Sequence, residues 1–326
     1  MASVSLLISE FNVNKEFTPD LNINYFAKDI IRIAPTVAQP QVRAGITIES
    51  ISSFDLHIRN ENNAAYNYNA LMKKNDGEWE SFVPSTTPYL DALTLLWENK
   101  TQKVKVAAIY VPNLLPPQFR QRNWDRRGYN YAIRTRQHSE QLMRINDILY
   151  MTEKEIDPSK DLVNGQIQIT LHHRLSKLNL KVKLSTEFNK LDRELPTNPI
   201  LSINVNGTKV KANWKIIEDN LSAYGQPNCI IPWCSENGYT FNNCDKKQRQ
   251  FNYECILLPQ TVDNNSFGVS FNICERDFSW TSSKSVQLDG DRQYNLTLLV
   301  GHDVVTIESF FTTPWTEEEP QNIGSN

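Results

Sequence analysis

The stretch from Asn164 to Leu184, NGQIQITLHHRLSKLNLKVKL, constrains the fold of this chain most strongly. Apolar and polar residues alternate along both halves, which is the pattern of a half-buried β-strand. The inward-facing residues are Ile167, Ile169, Leu171 and His173 in the first half, and Leu178, Leu180, Val182 and Leu184 in the second. Because the inward face moves from odd to even positions, we expect a bulge or bend near Ser176–Lys177.

The size and charge of the chain limit the classes of protein to which it can belong. Its 326 residues exceed the usual size of one domain, so two domains are expected. A hydrophobic content of 40% excludes a mostly disordered chain, and a net charge of −3 gives no general attraction to nucleic acid. No apolar run approaches the roughly 20 residues of a spanning helix. The amino terminus lacks the pattern of an intact secretory signal, so the protein is either cytoplasmic or begins here after export.

Short strands and turn residues dominate the rest of the sequence, which favours β-sandwiches. Asn206-Gly207 lies between alternating runs and predicts a hairpin turn. The alternating run 294–300 and the residues 304–307 that follow it predict a second hairpin near the end. His138–Tyr150 fits either a short helix or the start of a strand. The polar segment after Tyr150 is the predicted domain boundary. The two predicted domains are 1–158 and 159–326, and the first begins with a leader segment, 1–43.

All five cysteines lie in the carboxy-terminal half of the chain. Their spacing contains no C-x-x-C pair, which favours disulfides or buried thiols over a metal site. Cys234 and Cys244 flank a segment rich in Gly and Asn, and they are the candidate disulfide in an oxidising compartment. Cys255 alternates with apolar residues and is interpreted as a core thiol.

No catalytic signature occurs in the sequence, so neither an enzyme nor a cofactor is expected. His173, on an apolar strand face, is interpreted as a hydrogen-bonded core residue. The stretch Arg120–His138 mixes basic and aromatic residues. It fits nucleic-acid stacking, glycan recognition by aromatic side chains, or an ordinary solvated loop, and the solvated loop is favoured. The candidate glycan or partner contacts are Trp124, Tyr129 and Tyr131.

Several segments, taken in order, resemble the fimbrillin-like (Mfa-like) family of Bacteroidetes surface proteins. They span nearly the whole chain and are fairly specific as an ordered set. The segments are VRAG at 42–45, NDGEW at 75–79, VAAIYVP at 106–112, DILY at 147–150, LHHRLSKL at 171–178, LLPQ at 257–260 and YNLTL at 294–298 with Trp315. In this comparison, the stretch 164–184 resembles the entry strand of the family's second domain.

The resemblance implies an all-β fold of two tandem transthyretin-like β-sandwiches, mostly antiparallel, on an exported cell-surface protein of the outer membrane or fimbrium. It implies a fimbrial subunit or accessory adhesin, made as a lipoprotein. Its expected partners are other fimbrial subunits, which donate strands, and a host or bacterial surface protein or glycan. In subunits that polymerise, an arginine-specific protease removes a strand of the first domain, and a neighbour's strand fills the groove. Strand addition of this kind satisfies exposed backbone groups and apolar pockets together.

Arg43 is the expected processing site, because it follows a segment of small residues and prolines typical of an exposed linker. Arg32 is the second choice, and an ordinary surface arginine is the alternative for both. Val304–Phe311 is a candidate donor strand that also fits a hairpin partner. The acidic tail 316–326 would fill a groove poorly, which favours a tip or accessory role slightly. The runner-up function is a monomeric carbohydrate-binding surface lipoprotein.

Overall fold

The computed structural model describes residues 29–38, 46–84, 90–112, 129–185, 188, 199–241, 249–273 and 275–315. Nearly all regular structure in these ranges is β, and most strand pairs are antiparallel, so the predicted all-β class is confirmed. One short helix, α1 (Glu140–Arg144), and two 3₁₀ turns, Ile48–Ser50 and Ala64–Tyr66, are present in the described residues. None of these helices has the length and apolar character that crossing a bilayer requires.

Nineteen strands are defined within the described residues. They are β1 (Arg32–Val37), β2 (Ser53–Arg59), β3 (Tyr68–Asn75), β4 (Glu78–Phe82), β5 (Val104–Tyr110), β6 (Tyr129–Ala132), β7 (Leu149–Ile156), β8 (Gln166–His173), β9 (Ser176–Leu184), β10 (Ile200–Lys215), β11 (Asn220–Ile230), β12 (Trp233–Phe241), β13 (Arg249–Leu257), β14 (Gln260–Val262), β15 (Gly268–Ile273), β16 (Arg276–Thr281), β17 (Val286–Leu288), β18 (Arg292–Val300) and β19 (Val305–Pro314).

Strands from the first half of the chain form a sheet in the order β1-β8-β7-β5-β2-β3-β4. Every neighbouring pair is antiparallel except β1 and β8, which run parallel. Alternate residues of these strands are apolar and point to one side, where they form the first of two hydrophobic clusters. Its members include Phe54, Leu56, Val106, Ile167, Ile169 and Leu171.

The second hydrophobic cluster lies between two five-stranded sheets. One sheet has the order β11-β10-β15-β16, with β6 added to β10, and the other has the order β12-β13-β9-β18-β19. A two-stranded sheet, β14-β17, lies beside them. Inward-facing residues of both large sheets share one core, as in a β-sandwich. Its members include Leu178, Leu180, Val205, Trp214, Phe251 and Leu296.

The stretch 164–184 has the two opposite phases that its sequence predicts. The odd-numbered apolar residues of β8 and the even-numbered ones of β9 are all buried. The predicted bulge or bend near Ser176–Lys177 is found as a bend at Leu175, directly before it, where the chain passes between two strands in different sheets. The chain changes sheet at Arg174 and Leu175, which explains the change of phase without a bulge. The Arg174 guanidinium forms an ion pair with Asp219 at 2.8 Å and ties this crossover to the β10–β11 turn.

The predicted hairpin turn at Asn206-Gly207 is also wrong. Strand β10 runs through both residues, and Gly207 takes a positive φ of 87° at an irregularity in the β10–β11 pairing. A Cβ at Gly207 would lie 1.9 Å from the carbonyl oxygen of Ser266, so close backbone approach requires glycine here. The hairpin near the carboxy terminus is confirmed as β18–β19. The ambiguous segment 138–150 contains both a helix, α1, and the start of β7.

Strands on both sides of residue 158 join sheets formed mainly by the other half of the chain. Strand β6 pairs with β10, and β8 pairs with β1 and β7. Strand β5 contributes to both cores, because Val106 and Ala108 face the first cluster while Ala107 and Ile109 face the second. The division into tandem domains at residue 158 stays a prediction.

Candidate assembly edge

Strand β1 lies at one edge of the first sheet and is held by a single ladder. Its six residues pair in parallel with β8, from Arg32 opposite Gln166 to Val37 opposite Leu171. Ile33 and Val37 are buried, with 8% and 4% of their surfaces exposed, while Arg32 and Thr36 are exposed. The sequence of β1 therefore folds as an amphipathic edge strand that covers one side of the first core.

Pro35 shows which edge of β1 is open. The amide of Ala38 donates to Leu171 of β8, whereas the amide of Ile31 donates to Leu95 on the other side. Because amides alternate in direction along a strand, the even-numbered residues face β8 and Pro35 faces away from it. The missing amide of Pro35 therefore removes no bond to β8. A proline at this position is typical of an edge strand.

Strand β8 depends on β1 for most of its pairing. Its ladder with β7 contains two pairs, Leu149 with His173 and Tyr150 with His172. A register shift in the β5–β7 ladder, between Val106 and Ala108, lies where β7 and β8 separate. Bulges of this kind terminate pairing and redirect a strand. The resulting opening is a polar cavity of about 610 Å³, lined by β7, β8 and the turns at Asp219 and Asp291.

The segment Asp91–Trp97 runs between the outer edges of β4 and β1 and forms hydrogen bonds near both. At β4, the amide of Leu93 donates to Ser81 at 2.9 Å, and the amide of Val83 donates to Asp91 at 2.8 Å. At the entry to β1, the bonds are Ile31 N to Leu95 O and Trp97 N to Asp29 O, both at 2.8 Å. Below this segment, a cavity of about 540 Å³ between the two edges reaches core side chains that include Ile33, Met72 and Trp79. The β1 side of the first core is therefore incompletely closed.

The last residue of β8 joins the two cores. The Nδ1–H of His173 donates to the Asp147 carboxylate at 2.8 Å, and both side chains are buried. The imidazole stacks on Trp315, with ring centroids 4.1 Å apart. The interpretation of His173 as a hydrogen-bonded core residue is confirmed. Its two partners could not be found from local patterns, although both Asp147 and Trp315 lie in segments that resemble the family.

Several predicted site residues lie outside the described part of the chain, namely Arg43, Trp124 and Cys244. The Arg43 site and the Cys234–Cys244 disulfide therefore stay predictions. Arg32 is described, and it is the exposed first residue of β1. Cys255 is buried as expected, and burial raises the pKa of its thiol.

The prediction of Tyr131 as a glycan contact is wrong. Its side chain is 1% exposed, and its hydroxyl donates to the carbonyl of Asn146 at 2.9 Å. Burial also raises the pKa of this hydroxyl. The alternation in β6 turns Tyr131 towards the second core, so it cannot stack on a sugar. The backbone of Tyr129 belongs to β6, and its side chain lies outside the described part.

The fold of the chain resembles solved structures, and its sequence matches the model of one protein family. A candidate cell adhesion protein from Bacteroides ovatus has a TM-score of 0.60 and 12% identity over 89% of this chain and 99% of its own. Another, from Bacteroides uniformis, has a TM-score of 0.55 and 14% identity over 88% and 98%. A comparison with curated proteins returned no match. The sequence model of the fimbrillin-like family matches residues 49–315 of the 326. The chain therefore belongs to the fimbrillin-like family.

Proposed function

We propose that this chain is a non-enzymatic fimbrial subunit or fimbria-associated adhesin that assembles by strand complementation at β1. Membership of the fimbrillin-like family supports the fimbrial role. The solved adhesion proteins that share its fold agree with this role. The single observation that carries the mechanism is that β1 is held to the fold by one ladder, to β8. A strand held in this way can be exchanged for an equivalent strand of another subunit.

The first step of the proposed mechanism is a cut after Arg43. This cut lies on the carboxy-terminal side of β1 and separates residues 1–43 from the rest of the chain. Among the described residues, β1 is then retained by its contacts with β8, the turn Ile48–Ser50, the segment Asp91–Trp97 and the first core. Arg32 is a poorer site, because it belongs to the β1–β8 ladder and a protease needs an extended, accessible chain.

Loss of β1 would leave a groove that favours a new strand. The backbone edge of β8 would become unpaired between Gln166 and Leu171. Two apolar side chains of β1, Ile33 and Val37, would leave their sites in the core, and burial of each contributes about 1.5–3 kcal/mol. An incoming segment with apolar residues at every second position would restore both the ladder and the burial.

The proposed partners are other fimbrial subunits, and the proposed location is the surface of the exporting cell. Export as a lipoprotein belongs to the same proposal. Strand β19 pairs with β18 along its length, which supports its interpretation as a hairpin partner and not as a donor. A tip or accessory position for this chain belongs to the same proposal. The surface that it would bind is another protein or a glycan.

Limited digestion with an arginine-specific protease, followed by sequencing of the new amino terminus, tests the proposal. We expect cleavage after Arg43, its loss in Arg43→Lys, and its persistence in Arg32→Lys. A labelled peptide with the sequence of residues 29–38 should then bind the cleaved protein, and the same peptide with Ile33→Asp should not. Cleavage at another arginine, or a cleaved monomer that takes up neither peptide nor partner strand, would contradict the proposal.

A further inference from the structure

The sheet edges differ in how they are protected against added strands. Strand β1 carries Pro35, and β11 carries Pro227. Strand β4 carries two exposed glutamates, Glu78 and Glu80, and is contacted by the segment Asp91–Trp97. Prolines, charges and covering segments are the devices that natural proteins use to prevent pairing at an edge. These three edges are therefore protected.

In the part of the chain that the structure describes, no segment bonds to the outer edge of strand β19, and neither its proline nor its charge blocks that edge. It is a ten-residue strand at the end of its sheet, and its proline, Pro314, is the last residue. Its one charged side chain, Glu308, is already bound to Lys183 at 2.6 Å. Ile307 and Phe311 are 45% and 40% exposed. A long, apolar and open edge of this kind is either a binding site or a cause of aggregation.

Strand β19 lies beside β16, and each is the last strand of its own sheet. Between them lies a cavity of about 550 Å³ whose apolar wall includes Trp280 of β16 and Ile307 and Phe310 of β19. Phe267 fixes this wall, because its ring lies nearly parallel to Phe310 at 6.0 Å and edge-on to Trp280 at 6.5 Å. The gap is therefore formed by packed side chains on two sides.

The polar lining of this gap carries a single charge. Apart from Lys284, its polar residues are neutral hydroxyl and amide side chains, such as Ser282 and Gln287. A negatively charged or neutral ligand is therefore favoured over a basic one. Among the described residues, the outer edges of β16 and β19 have no backbone partner. Such edges favour an extended polypeptide, because its own amides and carbonyls can pair with them.

We infer that the β16–β19 gap is a second docking site, which binds an extended, neutral or acidic segment of a partner protein with apolar residues at alternate positions. This site belongs to the second core and does not require release of β1. Binding here and assembly at β1 can therefore fail independently. The partner strand would place its apolar side chains against Ile307 and Phe310 and would close the open side of the sandwich.

The probe for this site is a fluorescent peptide with the sequence VSLLISEFNVN, taken from residues 4–14 of the chain. It contains no proline, carries one acidic residue, Glu10, and alternates apolar and polar residues from Phe11 to Asn14. Binding to the intact protein is measured by fluorescence anisotropy, with a scrambled peptide as the control. We expect saturable binding of the ordered peptide and weaker binding of the scrambled one.

Two matched substitutions locate the site. Ile307→Glu places a charge on the apolar wall and should weaken binding about tenfold or more, because buried apolar anchors dominate such interfaces. Leu201→Glu is the control, since Leu201 is a 64% exposed apolar residue of β10 and should leave binding unchanged. Thermal unfolding checks that both variants fold. Absence of binding, or equal binding to Ile307→Glu and the unsubstituted protein, would overturn the inference.

A charge exchange tests the preference for an acidic strand. Lys284→Glu should weaken binding of the peptide, and a peptide with Glu10→Lys should bind this variant better than it binds the unsubstituted protein. If Lys284→Glu binds the acidic peptide unchanged, the inferred charge preference is wrong.

Discussion

The imidazole of His173 lies parallel to the indole of Trp315, with 4.1 Å between ring centroids and 3° between ring planes. His173 is the last residue of β8, the strand that holds β1, and Trp315 directly follows β19. The amide of Trp315 also donates to the carbonyl of Asp291 at 3.2 Å. This contact therefore fixes the end of the second core against the strand on which the proposed assembly depends.

Replacement of Trp315 by alanine should destabilise the protein by about 3–5 kcal/mol, because Trp315 is buried and the change leaves a large cavity. Trp315→Phe keeps an aromatic ring against His173 and should cost clearly less. Urea unfolding of both variants measures the difference. Equal losses of stability in the two variants would contradict the prediction, because phenylalanine restores most of the buried volume and the stacked ring that alanine removes.

Gly207 and Gly225 form a matched pair for testing the close approach of the Ser266 backbone to β10. Both have a positive φ, of 87° and 89°, but a Cβ would meet the Ser266 backbone only at Gly207. Gly225→Ala should cost about 1–2 kcal/mol from backbone strain alone. Gly207→Ala should lower the thermal midpoint much further or prevent folding. Similar midpoints for the two variants would contradict the structure of the β10 irregularity.

The side chain amide of Gln137 pairs with the backbone of β13 as a neighbouring strand would. Its Nε2 donates to the carbonyl of Ile256 at 2.9 Å, and its Oε1 accepts from the amide of Ile256 at 2.8 Å. Gln137→Leu keeps the volume but leaves both buried backbone groups unpaired, so we expect a loss of about 2–4 kcal/mol. Gln287→Leu, at an exposed position, is the control and should change stability by less than about 0.5 kcal/mol. Chemical unfolding compares the two variants.

Asp219 provides a test of pH dependence. Burial raises the pKa of its carboxyl above the ordinary value, and Arg174 lowers it by a smaller amount. The folded state therefore holds this proton more tightly than the unfolded state. The stability that this group contributes is present below its unfolded pKa and is lost as the pH rises through its raised folded pKa.

Asp219→Asn removes this titration and keeps a residue that accepts the positive φ of 48°. We expect the variant to be at least as stable as the unsubstituted protein near neutral pH, with the difference disappearing in acid. Thermal midpoints measured across the acidic range test this sign. A variant less stable at neutral pH would show that the attraction to Arg174 outweighs the cost of burial.

The sequence by itself determined the all-β class and the inward faces of several strands. The alternation in β8 and β9 predicted burial at the correct positions, because a side chain's face in a strand depends only on its position along the chain. The β18–β19 hairpin and the buried His173 followed from the same local rule. Ordered motifs identified the family, because each motif keeps its place in the chain.

Tertiary structure alone decided which strands pair and which side chains meet. The crossover at Arg174 and Leu175, the continuous β10 at Gly207, and the burial of Tyr131 all depend on segments distant in sequence. A local pattern gives a strand two equivalent edges, and only packing against the rest of the chain selects the neighbour at each edge. The single ladder that holds β1 and the open edge of β19 are results of that selection.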